Sequence, residues 1–284
     1  MRNPCAVAAH LFLSSLADHF NPAESPAMKI ASWNVNSINA RLDNVTRWLQ
    51  DQQPDVVLLQ ELKAVEDKFP LAPFTDLGYN AAIHGQKSWN GVAILSKHEI
   101  SDVMRGLPGD ENDEQSRYIE ATINGVRIAS IYLPNGNPVD TEKYPYKLGW
   151  MDRLYSHAAK LLKTEMPVVL GGDYNIIPED IDCYNPGAWT EDALFRLESR
   201  QKFRAIEHLG YYDAFRAIND NMVAYSYWDY QAGAWQQDRG IRIDHFLLSA
   251  QAVDRIEGCE IDKAPRGEEK SSDHTPVILT LRQR

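Results

Sequence analysis

Residues 42–61 read LDNVTRWLQDQQPDVVLLQE, and the change of hydrophobic period within this stretch decides the fold class. Leu42, Val45, Trp48 and Leu49 recur at helical spacing and make one apolar stripe on an amphipathic helix. Pro54 has no N–H to donate and its ring clashes with the preceding turn, so the helix cannot pass it. Val56-Val57-Leu58-Leu59 then runs without a polar break, the pattern of a strand covered on both faces, and it ends at Glu61. The same unit returns later. Leu148, Met151, Leu154, Tyr155, Ala158, Leu161 and Leu162 form a helical stripe, Pro167 follows, and Val168-Val169-Leu170 runs into Gly171-Gly172-Asp173. Helix, proline, buried strand and acidic residue thus occur twice, which implies an α/β layer architecture built from two similar halves.

Residues 29–35, 91–96, 118–123, 126–133, 225–228, 243–248 and 277–281 also read as strands. Asn124-Gly125 between two of them signals a type I′ hairpin, so antiparallel pairing is expected and a purely parallel, doubly wound sheet is excluded. No glycine-rich nucleotide fingerprint, P-loop or linker interrupts the chain after Met28. One two-layered core is expected rather than two domains. Residues 1–27 combine Arg2, a weak apolar stretch broken by His10, and Pro22 and Pro26. They are expected to be a disordered extension or an over-called start rather than a secretory signal, leaving 28–284 as a single catalytic domain.

The 284 residues carry 29 Lys and Arg against 40 Asp and Glu, a formal charge of −11. A protein that holds nucleic acid by charge alone shows a basic balance or stripe, and neither is visible here. A phosphate polyanion therefore requires either a bound metal to offset the carboxylates or basic residues gathered on one face. Nothing approaches the roughly 20 apolar residues of a membrane span. Cys5, Cys183 and Cys259 are odd in number and far apart, giving neither a disulfide framework nor a zinc site, and a reducing cytoplasm is the simplest expectation.

Chemistry collects where the strands end. Asn34, Glu61, Tyr132 with Asn135, Asp173 with Asn175, Asp244, and Asp273-His274 all flank apolar runs. Each alone reads more readily as a turn former or helix cap. Together they offer oxygen ligands, amides and one imidazole, a set suited to Mg²⁺ completed by a substrate phosphate.

These residues resemble the exonuclease III-like AP endonucleases of the endonuclease/exonuclease/phosphatase superfamily. The resemblance runs through Lys29-Ile30-Ala31-Ser32-Trp33-Asn34-Val35-Asn36, Leu59-Gln60-Glu61, Gly91-Val92-Ala93-Ile94-Leu95-Ser96 and Tyr132-Leu133-Pro134-Asn135-Gly136. It continues through Gly172-Asp173-Tyr174-Asn175, Arg242-Ile243-Asp244 and Ser272-Asp273-His274. It implies a four-layered α/β sandwich, with two mixed β-sheets face to face, helices outside and the site at one end. It also implies Glu61 as the main Mg²⁺ ligand (Mn²⁺ substituting), Asn34 near the metal and Asp273 as a further ligand. By the same resemblance Asp244 and His274 form a carboxylate–imidazole pair, Asp173 exchanges a proton with water or leaving group, Asn175 holds it, and Tyr132 and Asn135 reach phosphate oxygens.

The superfamily core also serves RNA and phospholipid-headgroup phosphodiesterases, so the core motifs alone do not name a substrate. Residues 225–230 followed by 239–244 resemble the part of DNA-repair members that walls the pocket for a flipped abasic sugar, with Tyr227, Trp228, Ile241 and Ile243 as candidates. Where Ile241 stands, some members carry Trp. Lys63 and Arg117 match basic positions of relatives, and Trp189 in a Pro-Gly turn is a candidate groove probe. The implied activity is Mg²⁺-dependent cleavage 5′ to abasic sites in double-stranded DNA, with 3′-to-5′ exonuclease and 3′-phosphatase activity on 3′-blocked ends, by a monomer without membrane contact. The alternatives are a same-fold phosphodiesterase acting on RNA or a lipid headgroup, and a non-catalytic DNA-binding module.

Overall fold

The computed structural model describes residues 27–283; the extension expected over residues 1–27 lies outside them except for Ala27. In chain order the elements are β1 (Ala27–Asn34), α1 (Leu42–Gln52), β2 (Val56–Gln60), α2 (Leu71–Asp76), β3 (Asn80–His84), β4 (Val92–Ser96), β5 (Ser101–Arg105), β6 (Tyr118–Ile123) and β7 (Val126–Tyr132). There follow α3 (Lys143–Leu162), β8 (Val168–Asp173), α4 (Leu197–His208), β9 (Tyr211–Asp213), α5 (Ala214–Ile218), β10 (Asp244–Ser249), α6 (Ala250–Val253), β11 (Ile256–Ile261) and β12 (Val277–Arg282).

One six-stranded sheet has the order β11-β12-β1-β2-β4-β3 and the other β5-β6-β7-β8-β10-β9. In each, the central pair is parallel (β1 with β2, β7 with β8) and every other pair is antiparallel. The repeated unit read from residues 42–61 and 148–173 is the crossover into that central pair in each sheet, so the two halves share one topology.

Strand alternation builds the layers. Ile30, Val56, Leu58 and Ile94 from the first sheet pack with Ile128, Val169, Phe246 and Leu248 from the second. The other face of the first sheet, through Ala31, Trp33, Val57 and Leu59, packs on Val45, Trp48 and Leu49 of α1. Leu170, Ile131 and Leu247 pack on Trp150, Met151 and Leu154 of α3 and Phe203 of α4. The fold is thus the four-layered sandwich, with three apolar interfaces in place of the one two-layered core expected. Gly171 permits the central interface to close: a Cβ there would meet Phe246 at 2.4 Å and Leu58 at 2.7 Å.

Residues 225–228 are not a strand. Tyr227 makes only single bridges, to Ile241 and to His274, because a compact run of Tyr225, Tyr227 and Trp228 packs side chains on several sides instead of alternating across a sheet. Cys183 and Cys259 are free and buried. Among the described residues no helix is long and apolar enough to cross a membrane.

Candidate active site

The strand register brings the site together at one end of the sandwich. Asn34 and Gln60 pair at the ends of parallel β1 and β2, so Glu61 leaves the sheet beside Asn34. Tyr132 and Asp173 pair at the ends of parallel β7 and β8, and Asp244, opening antiparallel β10, pairs with Asp173. His274 lies before β12, which runs antiparallel to β1. Alternation turns Asn34, Asp173 and Asp244 toward the space between the sheets, in phase with the inward Ile30, Val169 and Phe246. Directly beneath them Gln60 Nε2 donates to Ser32 Oγ and Ser130 Oγ, tying the two sheets together under the site.

Asn34 Nδ2 donates to Glu61 Oε1 at 3.0 Å and to Asp173 Oδ2 at 2.9 Å. Asn175 donates its backbone N–H to Asp173 Oδ1 at 2.8 Å and its side-chain amide to Oδ2 at 3.2 Å, and Asn135 Nδ2 donates to Asn175 Oδ1. His274 Nδ1 is 2.9 Å from Asp244 Oδ2, and its Nε2 faces Asp173 Oδ2 at 3.7 Å. The same Asp244 oxygen accepts from Ser226 Oγ at 2.6 Å.

The burial of these groups sets their protonation. Desolvation pushes the Asp173 carboxyl up to about 7, against the attraction of His274. Burial alone would lower the pKa of His274, yet the Asp244 and Asp173 carboxylates outweigh it and raise it to about 10, leaving an imidazolium at neutral pH. Glu61 goes the other way: burial is outweighed by the Asn34 hydrogen bond and the Lys63 ammonium 3.0 Å away, which hold it below the usual carboxylate range. Burial and the neighbouring Glu61 keep the Tyr132 phenol protonated, so it faces the site as a donor.

Glu61, Asp173 and His274 each present one ligand atom, all within 4.8 Å of one another. Asp273 stands outside this group; its Oδ1 accepts from Asn36 Nδ2 at 3.0 Å. Lys63 reaches both Glu61 and Asn36, and the Arg117 guanidinium lies over the Tyr132 ring, 4.7 Å from its centroid. The Tyr227 ring packs edge-on to His274 at 5.0 Å, while Ile241 and Ile243 lie behind it in one buried cluster, against which Trp189 is partly buried. Trp228, by contrast, is fully buried between Tyr225 and Trp235 and presents no surface to a ligand. Arg242 and His245 face away from the site, where Arg242 holds Asp182 and Asp213. Not singled out from the sequence were Asn36, present only as the last residue of the motif 29–36, and Ser226, present only within the run 225–230.

Residues 31–274 match the endonuclease/exonuclease/phosphatase family. An exodeoxyribonuclease of Bacillus subtilis (strain 168) is 33% identical over 258 residues, covering 89% of this chain and 99% of that protein. An AP endonuclease from Archaeoglobus fulgidus superposes with a TM-score of 0.86 at 38% identity, over 89% of this chain and 99% of that one. A 3′ phosphatase from Neisseria, solved with a product DNA hairpin, superposes with a TM-score of 0.87 at 39% identity, over 89% and 98%. With the same sandwich and the motifs in order from Asn34 to His274, the chain belongs to the endonuclease/exonuclease/phosphatase family, among its exonuclease III-like AP endonucleases.

Proposed function

We propose that this chain is a DNA repair nuclease that uses a divalent metal to hydrolyse the phosphodiester 5′ to an abasic site, and that the same centre removes 3′ nucleotides and 3′ phosphates. The observation that carries this reading is the hydrogen-bonded path from Glu61 through Asn34 to Asp173, meeting the Asp244–His274 pair at the common mouth of two sheets. The activities named for the relatives, an exodeoxyribonuclease, an AP endonuclease and a 3′ phosphatase, support it.

The Glu61 carboxylate is a hard, anionic donor that fits Mg²⁺, with Mn²⁺ as substitute; protonated His274 is no ligand. Asp273, outside that group, would add a further carboxylate from the rim, with Asn34 orienting Glu61. When bound, the cation neutralises phosphate charge and polarises its oxygens. Asp173, fixed by Asn34 and Asn175 and poised near neutrality, takes the proton of the attacking water or gives one to the leaving oxygen. Asp244 fixes the ring of His274, whose charged Nε2–H, on the side of Asp173, would donate to a phosphoryl oxygen bound there. The Tyr132 hydroxyl and the Asn135 amide donate to the same oxygens as charge develops. Lys63 meets the DNA backbone, and Tyr227, backed by Ile241 and Ile243, walls a pocket for a sugar without its base, which leaves the stack at low cost. Residues 28–284 act as one catalytic domain.

Incubation of the purified chain with a duplex carrying one abasic site, with Mg²⁺ and then with EDTA, is expected to give metal-dependent incision leaving a 3′-hydroxyl. An intact duplex after incubation with Mg²⁺ would overturn the reading.

A further inference from the structure

One charged group at this end of the sandwich has no part in the chemistry above. Lys147, on the inner face of α3, is fully buried. Its Nζ donates to the backbone carbonyl of Asn135 at 3.0 Å and to that of Asn175 at 2.6 Å. Those two residues follow the ends of neighbouring strands, β7 and β8, and are themselves joined by the Asn135 Nδ2 to Asn175 Oδ1 bond at 3.0 Å. Asn175 stands at φ 48°, in the left-handed region that asparagine tolerates. We infer that Lys147 is a positioning residue for the reaction: by binding both carbonyls it sets the loops that present Asn135 and Asn175, and through Asn175 the orientation of Asp173.

Three features favour this over a general scaffold role. A buried ammonium is expensive to desolvate, and an apolar helix position would be filled more stably by Leu or Met. The loop is shaped to the lysine, since a Cβ on Gly136 would meet Lys147 Cδ at 2.6 Å. The same loop is closed from its far side by Asn137, which donates to Asp192 Oδ1 and accepts from the Ala193 N–H. Burial lowers the pKa of Lys147 to about 7, but the amine has two N–H groups and the ammonium three, enough for two carbonyls in either form, so the clamp does not depend on the charge.

The inference rests on the nuclease reading, and the test separates the two. Lys147→Met and Lys147→Gln, each alone and combined with Asn135→Ala, are assayed on the abasic duplex, with melting temperatures alongside. Misplacement of donors by about 1 Å predicts a fall in kcat of up to about 100-fold for Lys147→Met, with KM for DNA moving less than about threefold, because the duplex is gripped mostly elsewhere. Lys147→Gln, which keeps donors for one carbonyl, is expected to fall less. Since the lysine acts through Asn135 and Asn175, the double variant should be no more than about threefold slower than the slower single variant. Side-chain amide ¹⁵N–¹H signals of Asn135 and Asn175 read the positioning without substrate and should shift in Lys147→Met. An inert wild-type chain overturns the nuclease reading while leaving the amide shifts to judge the lysine. Unmoved amide signals, multiplicative losses in the double variant, or failure of both Lys147 variants to fold would each overturn the positioning role.

Discussion

His274 Nδ1 lies 2.9 Å from Asp244 Oδ2, although His274 precedes a strand of one sheet and Asp244 opens a strand of the other. The contact therefore orients an imidazole and also ties the sheets together across the mouth of the sandwich. Ser226 Oγ, donating to the same carboxylate oxygen, fixes its direction from a third segment.

If that pair works on the reacting phosphate, His274→Ala and Asp244→Ala should each slow incision by about 10²–10⁴-fold. Binding of DNA should change far less, because the loss falls mainly on the transition state. Single-turnover rates measured together with melting temperatures check this; a well-folded His274→Ala protein that turns over normally would rule the pair out.

Glu61→Gln is nearly isosteric and keeps an oxygen for the Asn34 amide, but removes the anionic charge a cation needs. Mg²⁺ at 100 times its dissociation constant should stabilise the wild-type chain by about 2.7 kcal/mol, and the variant by much less. Thermal melts across a Mg²⁺ series read this directly. With a net charge of −11, DNA binding should also weaken in EDTA and show a shallow salt slope. Equal Mg²⁺ stabilisation of both proteins would place the metal elsewhere.

His245, beside the Arg242 guanidinium and fully buried, has its pKa pulled down from 6.5 to about 4, chiefly by desolvation. It is neutral in the folded chain, with Nε2–H donating to the Ile176 carbonyl and Nδ1 accepting from Arg242. The unfolded chain takes up the proton first as pH falls, so the folded state loses stability between pH 6.5 and 4, by roughly 3 kcal/mol at the low end. Above pH 6.5 the group makes no pH-dependent contribution. Urea melts of wild type and His245→Gln at either end of that window should show a smaller acid loss in the variant; equal losses would assign the acid sensitivity to other groups.

Gly171→Ala should cost about 1–3 kcal/mol, since the new methyl meets Phe246 and Leu58 from opposite sheets in a fully packed interface. Chemical denaturation measures it. A variant as stable as wild type would mean that the sheets separate there more easily than their packing implies.

The eight strands legible in the sequence are the interior strands of the two sheets; the four that were not, β3, β5, β9 and β11, are the four sheet edges. An interior strand is buried and reads as an apolar run, as Val56–Gln60 does, whereas an edge such as Ser101–Arg105 is only partly covered and carries polar residues that look like loop. The same physics governs the site. Asn34, Glu61, Asp173, Asp244 and His274 were legible because each adjoins an apolar strand, a local signal. Lys147, Ser226 and Asn36 enter through hydrogen bonds to segments distant in the chain, and the burial of Trp228 depends on Tyr225 and Trp235 closing around it. Local periodicity and strand-end chemistry are written in the sequence because they need only near neighbours. The protonation of Asp173 and His274, and the lysine beneath Asn135 and Asn175, were decided by tertiary structure, because desolvation and carbonyl geometry exist only once the two sheets have closed.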